Sequence, residues 1–232
     1  MKLTIFGANG PTGQLLTSQA LAEGHEVTAF TRHPDAFPAF DGSLRVLAGD
    51  VHDAHAVEAA VAGQDAVVST LGVPFGRDPV TVYSHGVSNM IEAMTRNGVK
   101  RLVCVSSSTM SPPPERQGGL IFRKVMQPYV VNVLGRTVYE DMRRMEDIVR
   151  QSNVDWTIVR PSGLFGADTV TDYDLAEDHI VGRFTAREDL ADCLLRQAGD
   201  RTYVDKAVAV ATVAIKPNML TLIWREGIRK KS

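Results

Sequence analysis

Three glycines stand three residues apart near the start of the chain, where an apolar strand pattern gives way to a helical pattern. Gly7 permits a tight turn, Gly10 lets the main chain approach a pyrophosphate, and Gly13 lets helix and strand pack closely. The start of the helix directs unpaired N–H groups at the same anion. We therefore predict a phosphate-binding loop rather than a turn that binds nothing. Its expected contact residues are Gly7, Asn9, Gly10, Pro11, Thr12 and Gly13.

The residue after the second predicted strand, Glu26–Thr31, indicates whether the nucleotide is NAD(H) or NADP(H). In NAD-binding versions of this motif an acidic residue at that strand end binds the ribose 2′-hydroxyl. This chain has Arg32 there, and a guanidinium suits a 2′-phosphate. We therefore expect NADP(H) to be preferred over NAD(H). The alternative is that Arg32 is only a solvated loop residue.

Further cofactor contacts are expected where the third and fourth predicted strands end. An adenine ring would rest after the third strand, and backbone must approach the cofactor after the fourth. The expected contacts are Asp50, Val51, Leu71, Gly72 and Val73. The alternative at the first of these positions is a simple turn in which Asp53 caps the next helix. His52 and His55 have no further ligand cluster beside them, and we predict no metal site.

Strand and helix patterns alternate along most of the chain, which is typical of a parallel sheet covered by helices on both faces. Strands are predicted over residues 3–6, 26–31, 44–48, 66–70, 102–106, 156–159 and 207–213, and helices over 14–23, 54–62, 80–97 and 137–151. A capping box from Thr185 to Glu188 predicts one more helix start ahead of residues 190–195. The predicted fold class is α/β, doubly wound in the Rossmann manner, with a mostly parallel sheet and a small substrate lobe built from C-terminal insertions.

The chain length suits one domain over residues 1–232. Residues 108–136 and 161–184 are expected to be substrate-side loops, with a short or broken helix over 120–134. Residues 217–232 form a tail, whose apolar part is expected to dock on its own domain or on a second subunit. We therefore expect a monomer or a homodimer.

The composition argues against several classes of protein. A formal net charge of −2 gives no electrostatic case for nucleic acid or an anionic membrane surface. Two cysteines exclude a disulfide framework and a cysteine-based zinc site. The first apolar stretch is too short for a signal peptide, and no apolar run approaches membrane-spanning length. We expect a soluble, cytoplasmic protein that binds a small molecule.

An ordered set of motifs resembles one family. The set comprises the glycine loop, Thr31-Arg32, Gly49-Asp50-Val51, residues 63–68 with Leu71-Gly72, Val105-Ser106-Ser107, and residues 155–160 with Pro161. Each motif is weak alone, but together they are similar to the atypical short-chain dehydrogenase/reductases. Within that group the chain most resembles the biliverdin-IXβ reductase/flavin reductase branch, which overlaps the NmrA-like proteins. The similarity covers about residues 1–213.

This resemblance implies an NADP-binding core below an open substrate site, where flavins, quinones or tetrapyrroles are reduced by hydride transfer. It implies that Ser107 is the catalytic serine, which binds substrate or the nicotinamide amide; the alternative is a turn-forming serine. It also implies cofactor contacts for Ser106, Pro161 and Ser162, and substrate contacts for Tyr83, Ser108 and Gly163. The aromatic residues Phe122, Tyr129 and Phe165 could line the same pocket or belong to the core.

The chain departs from the family in three ways. One is an inserted stretch at residues 112–134, which could form a lid or one wall of a pocket. The Tyr-x-x-x-Lys motif of the larger short-chain family is absent, and the nearest match is Tyr139 with Arg143. We predict that Tyr139 lies on the helix surface, out of catalytic register. Gly163 stands in the loop where the named branch carries a histidine near the nicotinamide, which argues against biliverdin. A flavin or quinone suits this chain better, because it takes hydride directly and can draw a proton from solvent.

Three functions follow as hypotheses. The first is an NADPH-dependent reductase of a flavin, quinone or similar planar acceptor. The second is a non-catalytic, NADP(H)-sensing, NmrA-like regulator, which would need no proton donor. The third is a reductase, epimerase or dehydratase of a specialised metabolite, with a pocket closed by the insertion and the tail.

Overall fold

The computed structural model describes residues 1–76, 78–111, 135–180, 182 and 184–215. The helix predicted over 120–134, Phe122, Tyr129 and the tail at 217–232 lie outside these residues. The strands are β1 Lys2–Phe6, β2 Glu26–Thr31, β3 Leu44–Ala48, β4 Ala66–Ser69, β5 Arg101–Val105, β6 Asp155–Pro161, β7 Gly163–Phe165, β8 Tyr173–Glu177, β9 Phe184–Ala186 and β10 Lys206–Thr212. The α-helices are α1 Pro11–Ala22, α2 Ala54–Val61, α3 Val82–Asn97, α4 Arg136–Arg150 and α5 Arg187–Gly199.

The main sheet has the strand order β3-β2-β1-β4-β5-β6-β10-β8. The first seven strands in this order are parallel, and β8 pairs antiparallel with β10. The chain winds outward in both directions from β1 and β4, which leaves a crevice between the carboxyl ends of these two strands. This confirms the predicted doubly wound, mostly parallel α/β fold.

Two hydrophobic cores cover the two faces of the sheet. Successive side chains of β1 point to opposite faces, so Ile5 packs with α1 and α5 while Phe6 packs with α2, α3 and α4. Both side chains are fully buried. This explains the unbroken apolar run in the sequence, because a strand covered on both faces needs apolar residues at every position.

Arg101 links three elements at the end of the sheet where the strands begin. It is the first residue of β5, and its side chain donates hydrogen bonds to Asp155 O at 2.7 Å, Thr157 Oγ1 at 2.6 Å and Gln197 O at 2.6 Å. It thereby joins β5, β6 and the last turn of α5. Burial lowers the pKa of this guanidinium to about 10, which still leaves it charged at neutral pH.

The predicted loop over 161–184 is wrong in part, because it contains strands. β8 closes the far edge of the main sheet, and β7 pairs with β9 in a small parallel sheet of its own. Phe165 is buried in β7 against the ring of Phe184 and belongs to the packed interior. Short segments with few buried residues, such as Tyr173–Glu177, lack the alternation that reveals a strand in a sequence.

The predicted capping box at the start of α5 is also wrong. The N-cap residue is Ala186, and no side chain caps the helix. Thr185 instead donates to Val210 O at 2.8 Å and accepts from Ser162 N at 3.0 Å, and Glu188 accepts from Ala167 N at 2.7 Å. Both side chains therefore form hydrogen bonds with residues distant in sequence instead of capping the helix. Among the described residues, no helix is long and apolar enough to cross a membrane.

Candidate functional site

A cleft of about 620 Å³ lies along the carboxyl ends of the central strands. Its walls come from the segments that follow β1, β2, β3, β4, β5 and β6 and from the starts of α3, α4 and α5. The sequence-predicted residues that line it are Gly7, Asn9, Gly10, Pro11, Thr12, Arg32, Asp50, Val51, Leu71, Gly72, Val73, Tyr83, Ser106, Ser107, Pro161 and Ser162. The structure does not place Gly13, Ser108 or Gly163 in the lining.

The glycine loop has the geometry of an anion cradle. Gly7 has φ of +76°, and a Cβ there would lie 2.7 Å from Thr70 O. Gly13 lies against the loop rather than in the cleft, since its Cβ would stand 2.4 Å from Gly7 O. Gly10 is the N-cap of α1, and no side chain caps that helix. The first N–H groups of α1 are therefore available to an anion in the cleft.

Arg32 and Asp50 lie together at the rim of the cleft, where β2 and β3 end. Asp50 accepts hydrogen bonds from His52 N at 2.9 Å and His52 Nδ1 at 2.8 Å. The main-chain hydrogen bond from His52 is the main cause that lowers the pKa of Asp50, and the nearby Arg32 contributes. Asp53 does cap α2, through His55 N and Ala56 N. No cluster of metal-ligating side chains occurs in the part of the chain described here.

Two serines stand where β5 ends in the cleft. Ser106 donates its main-chain N–H to Val159 O at 2.8 Å, while its buried Oγ has no hydrogen-bond partner among the described residues. Ser107 Oγ accepts from Thr109 N at 3.3 Å and from Thr109 Oγ1 at 3.0 Å. Because both of these contacts use Ser107 as the acceptor, its own hydroxyl proton can be donated elsewhere.

The prediction that Tyr139 lies on the helix surface is wrong. Its side chain is buried, lines the cleft and stands beside Ser107. Burial raises the pKa of Tyr139, and hydrogen bonding with the hydroxyls of Thr109 and Ser107 opposes that shift. The helical spacing contained a signal for this placement, because Tyr139 precedes the apolar-face residue Met142 by three positions. Arg143, four residues after the tyrosine, is exposed.

The wall around Tyr139 is apolar and includes an aromatic residue that the sequence analysis missed. The rings of Phe75 and Tyr139 have centroids 5.8 Å apart and planes inclined at 53°. The Tyr83 hydroxyl accepts a hydrogen bond from Val73 N at 3.1 Å, which ties the same loop to α3. Burial raises the pKa of Tyr83 to about 12. No sequence pattern marks Phe75, because it stands in a loop without periodicity.

These features fit a nicotinamide dinucleotide. The uncapped start of α1 and the close approach at Gly7 suit a pyrophosphate. Arg32 offers a cation at one end of the cleft, and the unpartnered Ser106 Oγ offers a polar contact at the other.

Comparison with known proteins agrees with this geometry. The sequence profile of the NAD(P)H-binding family matches residues 7–201. An uncharacterised protein of Mycobacterium bovis is 37% identical over 108 residues, which is 46% of this chain and 12% of that protein. A 3 beta-hydroxysteroid dehydrogenase/Delta 5→4-isomerase of Mycobacterium tuberculosis is 27% identical over 212 residues, covering 81% of this chain and 56% of that protein. The chain thus spans only part of the length of these relatives.

Solved structures share the fold. A short-chain dehydrogenase/reductase from Veillonella parvula in complex with NADP superposes with a TM-score of 0.75 at 19% identity, covering 94% of this chain and 99% of that one. ChuY, an anaerobillin reductase from Escherichia coli O157:H7, gives a TM-score of 0.72 at 21% identity, covering 94% of this chain and 100% of that one. The family profile spans most of the sequence and includes the cleft's glycine loop, so the chain belongs to the NAD(P)H-binding family of Rossmann-fold proteins.

Proposed function

We propose that the protein is an NADPH-dependent oxidoreductase that transfers a hydride to a flavin, a quinone or a similar planar acceptor. The observation that carries this proposal is that one cleft joins the glycine loop and Arg32 to the neighbouring hydroxyls of Ser107 and Tyr139. The strands that lead to Arg32 and Ser107, β2 and β5, are three strand intervals apart, or about 14 Å. That separation is on the scale of a dinucleotide.

Each end of the cleft would hold a different part of the cofactor. The main chain of residues 7–13 would bind the pyrophosphate, and Arg32 would bind the 2′-phosphate. Asp50 and Val51 would flank the adenine, while Ser106, Pro161 and Ser162 would contact the nicotinamide end. Leu71, Gly72 and Val73 would line the path between the two ends. Bound NADPH supplies a hydride, which a quinone or flavin accepts together with one proton.

Ser107 and Tyr139 would act on the acceptor as hydrogen-bond donors. Because burial raises the pKa of Tyr139, its phenol keeps its proton at neutral pH. A neutral phenol can donate to the acceptor oxygen on which negative charge develops during hydride transfer. Ser107 can donate to the same oxygen when its hydrogen bond with Tyr139 is exchanged for one to the acceptor, since its Oγ already accepts from Thr109. The proton that completes the reduction comes from this pair or from solvent.

A non-catalytic NADP(H) sensor is the second candidate, and one observation favours it. Arg143 stands four residues after Tyr139 but is exposed, and the pKa of Tyr139 is raised rather than lowered. The tyrosine therefore lacks the activation that interconversion of simple alcohols and ketones requires. The same observation is compatible with reduction of flavins and quinones, which need no activated base.

The two candidates are separated by a turnover assay. Purified protein is mixed with NADPH and, in turn, with FMN, FAD, menadione and dichlorophenolindophenol, and the near-ultraviolet absorbance of NADPH is followed. The reductase predicts oxidation with at least one acceptor, faster with NADPH than with NADH. Saturable binding of NADPH and NADP⁺ with similar affinity, but no oxidation by any acceptor, would reject the reductase and favour the sensor.

A further inference from the structure

We propose that Phe75 is the platform on which the second ligand binds, and that this ligand is an uncharged, flat, conjugated ring bearing carbonyl oxygens. The identification of this ligand with the hydride acceptor rests on the proposed function. The binding site itself follows from the position of Phe75, from the anchoring of its loop and from the distribution of charge in the cleft.

Phe75 is an exposed aromatic residue in a cleft wall. Its exposed fraction is 52%, although the neighbouring Tyr139, on which its ring rests, is only 8% exposed. One part of the Phe75 ring is therefore used in an intramolecular contact, while half of the side chain still faces water. Contact between water and this aromatic surface is unfavourable. A second flat ring would bury the surface and add a ring–ring contact, both of which favour binding.

The loop that carries Phe75 is anchored on both sides of the ring. Before it, Val73 N donates to the Tyr83 hydroxyl at 3.1 Å; after it, Gly76 O accepts from Thr137 Oγ1 at 3.2 Å. The start of α4 is packed so closely here that a Cβ on Gly135 would lie 2.6 Å from the Tyr139 ring and 3.0 Å from the Phe75 ring. The platform is therefore preorganised, which reduces the entropy cost of binding a rigid ring.

Charge is distributed unevenly along the cleft. The ionisable lining residues with described side chains are Arg32, His33, Asp50 and His52 at the nucleotide end, the tyrosines Tyr83 and Tyr139, and Arg187 at the start of α5. Around Phe75 the wall is formed by Val73, Pro74, Val138 and Met142. Its polar atoms are the hydroxyls of Ser107 and Tyr139, which suit carbonyl oxygens. Among the side chains that the structure describes, none of those flanking Phe75 on this wall is charged, which favours an uncharged ring.

The test measures binding rather than turnover. Riboflavin is titrated with protein, with and without saturating NADP⁺, and quenching of flavin fluorescence gives the Kd. Phe75→Ala and Phe75→Leu are expected to weaken binding about tenfold, because they remove one aromatic contact, and Phe75→Trp is expected to retain it. Phe40→Ala is the matched control, since Phe40 forms a similar tilted pair with Phe37, at 5.7 Å and 56°, away from the cleft lining. The Kd of NADPH should be the same for all five proteins.

Three results would overturn the inference: no saturable quenching by the wild-type protein, an unchanged Kd in both Phe75→Ala and Phe75→Leu, or equal weakening by Phe40→Ala. The leucine and tryptophan variants keep a large apolar side chain at this position, which limits the effect on folding. A general loss of folding in any variant would appear as a loss of NADPH binding. Failure of the proposed function has a different signature, because riboflavin would then bind on Phe75 while NADPH is not oxidised. If NADPH is oxidised but the Kd of riboflavin does not depend on Phe75, the proposed role of Phe75 is wrong and the proposed reductase activity is retained.

Discussion

Asp141, on α4, caps the start of α3 through the main-chain N–H of Tyr83. The N···O distance is 2.9 Å, and the same carboxylate accepts from Ser84 N at 3.3 Å and Ser84 Oγ at 2.5 Å. Thr81, the N-cap residue of α3, makes no such bond with its own side chain. The cap therefore comes from a neighbouring helix, and it joins the two helices that carry the cleft tyrosines.

Replacement of this carboxylate should loosen that junction. Asp141 is fully buried, and Asp141→Asn would turn an amide N–H₂ toward donors that need an acceptor. We expect the free energy of unfolding to fall by about 2–3 kcal/mol, measured by urea denaturation. Asp147→Asn, at an exposed position of the same helix, should change it by less than about 0.5 kcal/mol. Equal midpoints for the two variants would contradict the capping role.

Loss of the Tyr139 hydroxyl should affect turnover more than cofactor binding. Tyr139→Phe keeps the ring that packs on Phe75 but removes the donor beside Ser107. We expect kcat for quinone or flavin reduction to fall roughly 10–100-fold with the KM for NADPH unchanged, as steady-state kinetics would show. Tyr203→Phe, outside the cleft lining, is the control. A wild-type kcat in Tyr139→Phe would show that the Tyr139 hydroxyl is not needed for proton supply.

Arg32 should discriminate between the two nicotinamide cofactors. A charge-assisted hydrogen bond contributes about 1.5–3 kcal/mol, so Arg32→Asp should weaken NADPH binding by roughly 10–100-fold and NADH binding much less. Calorimetric titration with each cofactor measures the difference. Arg45→Asp makes the same change of charge at an exposed position of β3, outside the cleft, and should alter neither Kd. Equal losses of NADPH and NADH affinity in Arg32→Asp would disprove the phosphate contact.

Stability should decline at alkaline pH. Tyr83 loses its proton near pH 10 in the unfolded chain but near 12 in the folded protein, because burial disfavours the phenolate. Its contribution is therefore complete below about pH 10 and is lost as the pH rises toward 12, which amounts to about 3 kcal/mol. Urea denaturation at several pH values would show the decline, and Tyr83→Phe should make it shallower. A decline of the same steepness in that variant would remove Tyr83 as a cause.

Alanine at Gly13 should destabilise the loop that it supports. The added Cβ would lie 2.4 Å from Gly7 O and 2.7 Å from the Ala8 Cα, and neither main-chain atom can move easily. We expect a loss of about 1–3 kcal/mol in stability together with weaker NADPH binding. Gly166→Ala meets no atom within 4 Å and should be neutral. Thermal unfolding and NADPH fluorescence provide the two measurements. Wild-type values for Gly13→Ala would show that α1 can shift away from β1.

The positions of the glycine loop and of Arg32 along the cleft could be predicted because the geometry there is local. Gly7 and Gly10 lie in the turn between β1 and α1, and Gly13 lies in the first turn of α1, so the spacing in the sequence alone brings the three together. Arg32 follows directly from the end of β2. The order of most strands and helices is encoded in periodicity; the ends of the predicted elements are wrong by one to three residues, and the short strands β7, β8 and β9 were not predicted.

The part of the cleft around Tyr139 and Phe75 could not be predicted, because it depends on contacts between distant segments. The burial of Tyr139 depends on how α4 packs against α3, and these two helices are joined by the hydrogen bond from Tyr83 N to Asp141. The loop that carries Phe75 is hydrogen-bonded through Gly76 O to Thr137, more than sixty positions along the chain. β8 forms a strand because it pairs with β10. The Thr185 hydroxyl donates to Val210 O instead of capping α5. These side-chain partners and strand conformations are determined by tertiary contacts rather than by local sequence.

Arg101 has a wider consequence for how this scaffold tolerates change. Its bonds to Asp155 O, Thr157 Oγ1 and Gln197 O clamp the rear edge of the sheet, whereas every segment that shapes the cleft leaves from the front edge. Loops from a homologue grafted at the front would leave that clamp untouched. We therefore expect substitutions in the cleft segments to leave these hydrogen bonds intact, which makes the protein a suitable host for redesigned specificity.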